Sequence, residues 1–137
     1  MGTENYEKEK SSENIETKIK VLFVDDDERI RNLFELKITS HNFQVITCGT
    51  VKEAIEFLEK IPGIGILICD MDIGGESGIE VVKKAIKISP EIVVIGISGN
   101  YGSKKEFFDS GASYFFSKPF SPAELIKVLE DIRTAKK

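Results

Sequence analysis

Apolar runs and amphipathic segments alternate five times along this chain. The apolar runs are rich in Val, Ile and Phe, which predicts five short β-strands at residues 20–24, 44–47, 66–69, 92–97 and 114–116. Each run precedes a segment in which apolar residues recur three or four positions apart, as on one face of a helix. Strand and helix alternation with nearly uninterrupted apolar strands predicts an α/β fold, with a parallel sheet covered on both faces by five helices.

Four of the predicted helices begin with the same local pattern, a Ser or Thr followed three residues later by Glu. The segments are TVKE, SGIE, SKKE and SPAE, which start at Thr50, Ser77, Ser103 and Ser121. This spacing is typical of a capping box, in which the hydroxyl and the carboxylate satisfy free backbone N–H groups at the start of a helix. Pro122 also suits the first helical position, where no backbone N–H is needed.

Composition narrows the class of protein. A length of 137 residues with 41% hydrophobic residues is sufficient for one domain with its own core. We expect that domain at residues 19–137, preceded by a polar and flexible tail at residues 1–18. The net charge of −4 and the lack of a long basic run disfavour nucleic-acid binding. Because no apolar run approaches the ~18 residues of a membrane helix, we predict a cytoplasmic protein that does not bind membranes.

Two cysteines and one histidine are predicted to lie outside the functional site. Cys48 and Cys69 fall in apolar strand-like runs, which favours buried thiols over a disulfide or a redox pair. His41 lies between the first predicted helix and the second predicted strand, at the edge of the sheet opposite the strand ends considered next. We predict that it is an exposed loop residue.

Polar residues with a shared chemistry follow four of the predicted strands. They are Asp25, Asp26 and Asp27 after the first strand, Asp70 and Asp72 at the third, Ser98 at the fourth and Lys118 after the fifth. The carboxyl ends of parallel strands lie at one edge of a sheet, where ligands of such folds bind. We therefore expect these side chains to lie close together, except that Asp27 is interpreted as a favourable charge at the start of the first helix.

This set of residues indicates phosphoryl chemistry. Asp25, Asp26 and Asp70 would repel one another in a cleft, so the site requires a cation, and ligands that are all oxygen favour Mg²⁺ with several bound waters. Asp70 is the candidate nucleophile, because a carboxylate can take a phosphoryl group as a mixed anhydride. The metal and Lys118 would neutralise the charge that develops.

The segments VDDDE, CD, SG and SKPF, each at a predicted strand end and in this order, resemble response-regulator receiver domains over about residues 19–134. The resemblance implies a flavodoxin-like, doubly wound fold with strand order 2-1-3-4-5. It also implies two-component signalling, in which a histidine kinase or phosphotransfer protein supplies the phosphoryl group. The peptide bond between Lys118 and Pro119 is expected to be cis, as is usual in that family.

The resemblance assigns roles at the acidic site. Asp70 becomes the phosphorylated residue, and Asp25, Asp26, Asp70 and the backbone carbonyl of Asp72 become the ligands of Mg²⁺. Lys118 becomes the lysine that assists phosphoryl transfer. Such a domain would catalyse only its own phosphorylation and dephosphorylation, so no activity as an enzyme on other substrates is expected.

The resemblance also implies a conformational switch. Ser98 would supply the switch hydroxyl and assist the reaction, and Phe115 would be the switch aromatic residue. Phe115 stands where tyrosine is common, so switching would depend on packing alone. The output surface would be formed by the fourth helix, the fifth strand and the fifth helix, with an unidentified partner or a second copy of the chain docking there. Phe107 and Tyr114 are candidates for exposed residues of that surface.

The loop after Asp70 departs from the family pattern. Ile73, Gly74 and Gly75 replace a segment that usually carries proline, whereas Gly78 is kept. We expect this loop to be looser than usual because glycine allows more backbone conformations. The side chain of Asp72 is expected to add negative charge near the phosphoryl site.

Two other functions are compatible with parts of the sequence. Asp70 and Asp72 fit the DxD motif of haloacid-dehalogenase-type phosphatases, but that family places the motif on its first strand and requires an acidic pair beyond the lysine. Here the acidic pair precedes the motif. The other alternative is a receiver-like interaction module that is never phosphorylated, which would be expected to lose Asp70 or Lys118. Both residues are present.

Overall fold

A computed structural model of the protein describes residues 18–136, so the predicted tail, apart from Lys18, lies outside the described residues. Five strands form one sheet, in which all neighbouring strands are parallel. They are β1 (Lys20–Val24), β2 (Gln44–Cys48), β3 (Ile64–Asp70), β4 (Val93–Ser98) and β5 (Tyr114–Ser117). Their order in the sheet is β2-β1-β3-β4-β5. The predicted strand order and parallel pairing are confirmed.

Five helices of the described chain cover the two faces of the sheet: α1 (Glu28–Thr39), α2 (Val51–Lys60), α3 (Ile79–Ile88), α4 (Ser103–Ser110) and α5 (Pro122–Ala135). Alternate residues of each strand point to opposite faces. One buried cluster therefore contains Leu22 and Val24 with residues of α2, α3 and α4, and the other contains Val21 and Phe23 with residues of α1 and α5. This is the doubly wound arrangement that the sequence predicts. Within residues 18–136, no helix has the length and apolar character needed to cross a bilayer.

The predicted N-caps are confirmed for α2 and α5. The Thr50 side chain accepts a hydrogen bond from the Glu53 backbone N–H at 3.0 Å. At the start of α5, Ser121 accepts from the Glu124 backbone N–H at 3.2 Å, and the Glu124 carboxylate accepts from the Ser121 N–H at 3.3 Å. These two helices begin where the local sequence predicts because their caps need no tertiary partner.

The predicted N-caps at Ser77 and Ser103 are wrong. Ser77 lies two residues before α3, and its hydroxyl accepts from the Ile79 backbone N–H at 3.2 Å. Ser103 is the first residue of α4, is only 7% exposed, and forms a hydrogen bond with the Ser98 hydroxyl. A contact with the end of β4, five residues earlier, has taken the hydroxyl that the local pattern assigned to the cap.

The loop after β3 is a short antiparallel hairpin rather than the looser loop expected from its glycines. Residues Asp72–Ile73 pair with Glu76–Ser77. Gly74 and Gly75 form the turn with φ values of +60° and +89°, which side chains rarely adopt and which two-residue hairpin turns require. Ile73 is 1% exposed and packs into the core, so the hairpin is attached to the domain by an apolar anchor.

The cysteines and the histidine lie where the sequence predicts. Cys48 and Cys69 are buried and free. Burial raises the pKa of the Cys48 thiol to about 12, with the nearby Glu53 charge adding to the effect. His41 is exposed and lies 3.2 Å from the Glu130 carboxylate, away from the carboxyl ends of the strands.

Candidate functional site

Three acidic side chains meet at the carboxyl edge of the sheet. Asp25 follows β1 and Asp70 ends β3, and these strands pair directly. One carboxylate oxygen from each of Asp25, Asp26 and Asp70 lies within 4.8 Å of the others. Asp25 is 1% exposed and Asp70 7% exposed, whereas Asp26 is exposed to solvent. The structure thus brings together the three carboxylates that the sequence predicts at one site.

Lys118 joins two of these carboxylates. Its ammonium Nζ lies 2.9 Å from Asp70 Oδ2 and 3.1 Å from Asp25 Oδ2. Its backbone N–H donates to the Ser98 carbonyl at 2.9 Å, and the following bond to Pro119 is cis, as the resemblance implies. The group of three carboxylates therefore has one ammonium beside it, so the site carries an excess of negative charge.

Burial and the neighbouring charges together set the ionisation of Asp70 and Lys118. Burial raises the pKa of the Asp70 carboxyl, contacts with Lys118 lower it in part, and the Asp25 charge adds to the rise. For Lys118, burial disfavours the ammonium, but the Asp70 and Asp25 carboxylates together outweigh burial and raise its pKa. Lys118 thus only partly offsets the effect of burial on the Asp70 carboxylate, and a bound cation would add positive charge at the same place.

The hairpin after β3 contacts the acidic group through its backbone. The Gly74 N–H donates to Asp26 Oδ2 at 3.1 Å. The Asp72 carboxylate accepts from the Gly75 N–H at 3.0 Å, and this side chain is outside the group of three carboxylates. The Asp72 carboxylate therefore holds the hairpin turn.

Asp27 has the structural role that the sequence predicts. Its carboxylate accepts from the Arg29 backbone N–H at 2.9 Å, and Asp27 is the N-cap of α1. Its own N–H donates to Asp25 Oδ1 at 2.9 Å, which orients the buried carboxylate. The start of α1 and the acidic site are thereby built together.

Gly78 is a further requirement of the site. A Cβ atom at this position would lie 1.9 Å from the Asp70 carbonyl oxygen, so a larger residue would displace the backbone that carries the candidate nucleophile. The Gly78 N–H donates to the Met71 carbonyl at 2.6 Å, which closes the hairpin segment onto β3. The sequence shows that Gly78 is kept, but only the packing shows why.

Ser98 ends β4 and is 4% exposed. Its hydroxyl donates to the Ser103 hydroxyl at 3.1 Å and accepts from the Asn100 backbone N–H at 3.0 Å. Ser103 was not predicted to be a site residue, because its spacing to Glu106 predicted a helix cap. The available signal was its position only five residues after the predicted switch hydroxyl.

Phe115 lies on the α4 side of the sheet and is half-buried. Its ring centroid is 6.0 Å from that of Phe107 and 6.2 Å from that of Tyr101. Phe107, a candidate for an exposed residue of the output surface, is instead fully buried against Gly96, where a Cβ atom would lie 2.4 Å from its ring. The absence of a side chain at Gly96 lets α4 place this ring onto β4.

Tyr114 also differs from its predicted place. It is half-buried and packs with the cluster on the α1 and α5 side of the sheet. The exposed aromatic residues near α4 are Tyr101, at 65% exposure, and Phe108, at 40%. Tyr114 faces the α1 and α5 side because successive strand residues alternate between the two faces of the sheet, whereas Phe107 is buried because its helix packs on Gly96.

Comparison with known proteins agrees with this arrangement. The family model of the response regulator receiver domain matches residues 21–130. The chain belongs to this family. The match describes a receiver domain and favours it over the phosphatase alternative.

Relatives and solved structures extend the comparison. VanR, a regulatory protein of Enterococcus faecium, is 33% identical over 120 residues, which cover 86% of this chain and 52% of VanR. The chain spans about half the length of the curated relatives it matches. A CheY-like receiver domain protein of Methanospirillum hungatei has a TM-score of 0.78 at 21% identity, covering 84% of this chain and 93% of its own. Chemotaxis protein CheY4 of Vibrio cholerae has a TM-score of 0.76 at 26% identity, with 84% and 98% covered. The receiver fold is confirmed.

Proposed function

We propose that this receiver domain is cytoplasmic and takes a phosphoryl group onto Asp70 from a histidine kinase or phosphotransfer protein, in a reaction that requires Mg²⁺. The observation that carries the proposal is the contact between Asp70 and Lys118, at 2.9 Å, inside a group of three carboxylates. A nucleophile, a cation for the transferred group and a set of metal ligands are thus present within one small site.

The acidic residues fit Mg²⁺. They offer oxygen atoms only, from Asp25, Asp26 and Asp70, and the backbone carbonyl of Asp72 is a further proposed ligand. Asp26 is exposed, which suits an ion that keeps several of its waters. When bound, Mg²⁺ would supply positive charge to the phosphoryl oxygens.

The residues of the chain account for transfer and release. An oxygen of Asp70 attacks the phosphorus of a phosphohistidine; the new O–P bond forms as the N–P bond breaks, and its electron pair stays on the imidazole nitrogen. Lys118, held by Asp25, pairs with a phosphoryl oxygen. In dephosphorylation, water attacks the same phosphorus and restores the Asp70 carboxylate with release of inorganic phosphate. The domain thus acts on itself alone.

The output rests on a population shift between two packings. A phosphoryl group adds up to about two negative charges and three acceptor oxygens, which an inward Ser98 hydroxyl would contact. Phe115 then fills the space beside β5, and the surface formed by α4, β5 and α5 changes. Tyr101 and Phe108, the exposed aromatic residues of α4 and its preceding loop, are where an output partner or a second copy would detect the change.

Intact mass spectrometry after incubation with acetyl phosphate and Mg²⁺ tests the proposal. The native chain should gain one phosphate, and Asp70→Asn and a sample treated with chelator should gain none. Asp131→Asn, an exposed residue of α5, is the control and should be modified like the native chain. A phosphate that persists in Asp70→Asn would refute the assignment, and modification without a divalent ion would refute the role of the metal.

A further inference from the structure

We propose that Ser103 is a positioning residue that holds the Ser98 hydroxyl away from Asp70 and so favours the unphosphorylated packing. This inference rests on the proposed function, since it concerns the state that a phosphoryl group on Asp70 would select. It adds a regulatory contact from α4 to the site, which neither the acidic group nor Lys118 provides.

The hydrogen bonds around Ser98 carry the inference. A serine hydroxyl has one proton to donate. In this structure Ser98 donates it to Ser103 Oγ at 3.1 Å, and its own oxygen accepts from the Asn100 N–H at 3.0 Å. Ser98 and Ser103 are 4% and 7% exposed, so water competes little for either hydroxyl. To donate to a phosphoryl oxygen on Asp70, Ser98 must give up Ser103.

The same contact links the site to α4. Ser103 is the first residue of this helix, and its backbone N–H donates to the Asn100 carbonyl at 3.0 Å. Phe107 lies one turn later on the same face of the helix, where it packs against Gly96 and beside Phe115. When Ser98 changes its partner, the start of α4 therefore loses one contact with β4. The same helix carries Phe107, whose ring packs beside Phe115.

Removing the Ser103 hydroxyl should favour the inward state, in which Ser98 turns toward Asp70, over the outward state, in which it contacts Ser103. There are two reasons. The outward state loses the acceptor of the Ser98 proton. In the native chain, moving Ser98 inward leaves the buried Ser103 hydroxyl without a partner, and the substitution removes this cost. One hydrogen bond between neutral groups shifts a two-state equilibrium about 2- to 10-fold, and both effects have the same sign.

The test measures beryllofluoride binding in the presence of Mg²⁺, with NMR of the amides of α4 and Phe115. Ser103→Ala should bind beryllofluoride about 2- to 10-fold more tightly than the native chain. Before beryllofluoride is added, its α4 and Phe115 signals should already lie part of the way to their bound positions. Ser110→Ala, which removes a hydroxyl from the other end of α4, is the matched control and should behave like the native chain.

A second background separates positioning from simple support of the helix. In Ser98→Ala, the further change Ser103→Ala should leave beryllofluoride affinity unchanged, because the contact it removes no longer exists. Equal effects in both backgrounds, or native affinity in Ser103→Ala alone, would overturn the inference. If the native chain failed to bind beryllofluoride with Mg²⁺, the proposed function would be overturned, and the inference with it.

Discussion

The carboxyl edge of the sheet contains two neighbouring regions of opposite character. The charged half, Asp25, Asp26, Asp70 and Lys118, sets three carboxylates against one ammonium. The hydroxyl half, Ser98 and Ser103, is neutral, and its hydroxyls are paired with each other. The charged half is incomplete without a ligand, whereas the hydroxyl half is complete and must be broken for a ligand to use it. In the proposed function, binding and switching therefore rest on different chemistry within one site.

The incompleteness of the charged half concerns charge rather than hydrogen bonding. Among the described residues, every buried side-chain nitrogen and oxygen has a hydrogen-bond partner. Asp25 and Asp70 each contact Lys118, yet the pKa of Asp70 is raised by burial despite that contact. Removing the Lys118 ammonium should therefore lower stability, and removing the Asp70 carboxylate should raise it. Substitutions in the hydroxyl half should have effects that do not depend on charge.

The largest effect is expected for Lys118→Met. This change leaves two buried carboxylates without their cation, and we expect a loss of about 2–4 kcal/mol in the free energy of unfolding at neutral pH. Mg²⁺ should restore part of the loss because it supplies positive charge to the same carboxylates. Urea unfolding with and without Mg²⁺ measures both effects.

Lys127→Met, an exposed lysine of α5, is the control for this prediction and should change stability by less than about 0.5 kcal/mol. A native-like unfolding free energy for Lys118→Met would show that Lys118 does not compensate the charged half.

A smaller effect of opposite sign is expected for Asp70→Asn. The folded-state pKa of Asp70 is raised, so the stability linked to its proton is complete below the unfolded pKa, about 3.9, and is lost as the pH rises through the folded value. Asparagine does not titrate. Relative to the native chain, the variant should become more stable as the pH rises from acidic to neutral. At neutral pH its free energy of unfolding should be higher by about 1–2 kcal/mol.

Urea unfolding in chelator across this pH range measures the gain of Asp70→Asn. Asp131→Asn, the exposed control, should follow the native curve. A gain that does not depend on pH would mean that the charge of Asp70 is not its cause.

The smallest effect is expected for Ser98→Ala, which leaves the Asn100 N–H and the Ser103 hydroxyl without their partner. We expect a loss of about 0.5–1 kcal/mol in the free energy of unfolding. Because no charge is removed, the loss should be the same at acidic and neutral pH and with or without Mg²⁺. Thermal unfolding under these four conditions checks this prediction. A loss that Mg²⁺ reverses would show that the hydroxyl half is electrostatically coupled to the charged half.

The sequence by itself determined the architecture and the charged half. Five apolar runs alternating with amphipathic segments suffice for a parallel doubly wound sheet, because helices on both faces require strands that are apolar throughout. Topology then places all carboxyl ends at one edge, so Asp25, Asp70 and Lys118 could be brought together from their positions at strand ends alone. The caps at Thr50 and Ser121 were equally predictable, because a cap needs only local geometry.

Only the tertiary structure decided the hydroxyl half and the aromatic packing. Ser103 carries a local capping pattern, and its inward hydrogen bond to Ser98 depends on how closely α4 approaches β4. That approach is possible because Gly96 has no side chain where the Phe107 ring packs, and it buries a residue that was a candidate for the exposed output surface. A local sequence pattern shows which hydrogen-bond partners a residue can reach nearby along the chain. Packing at distances of a few ångströms selects among those options, because a buried hydroxyl or ring must find its partner wherever the fold provides one.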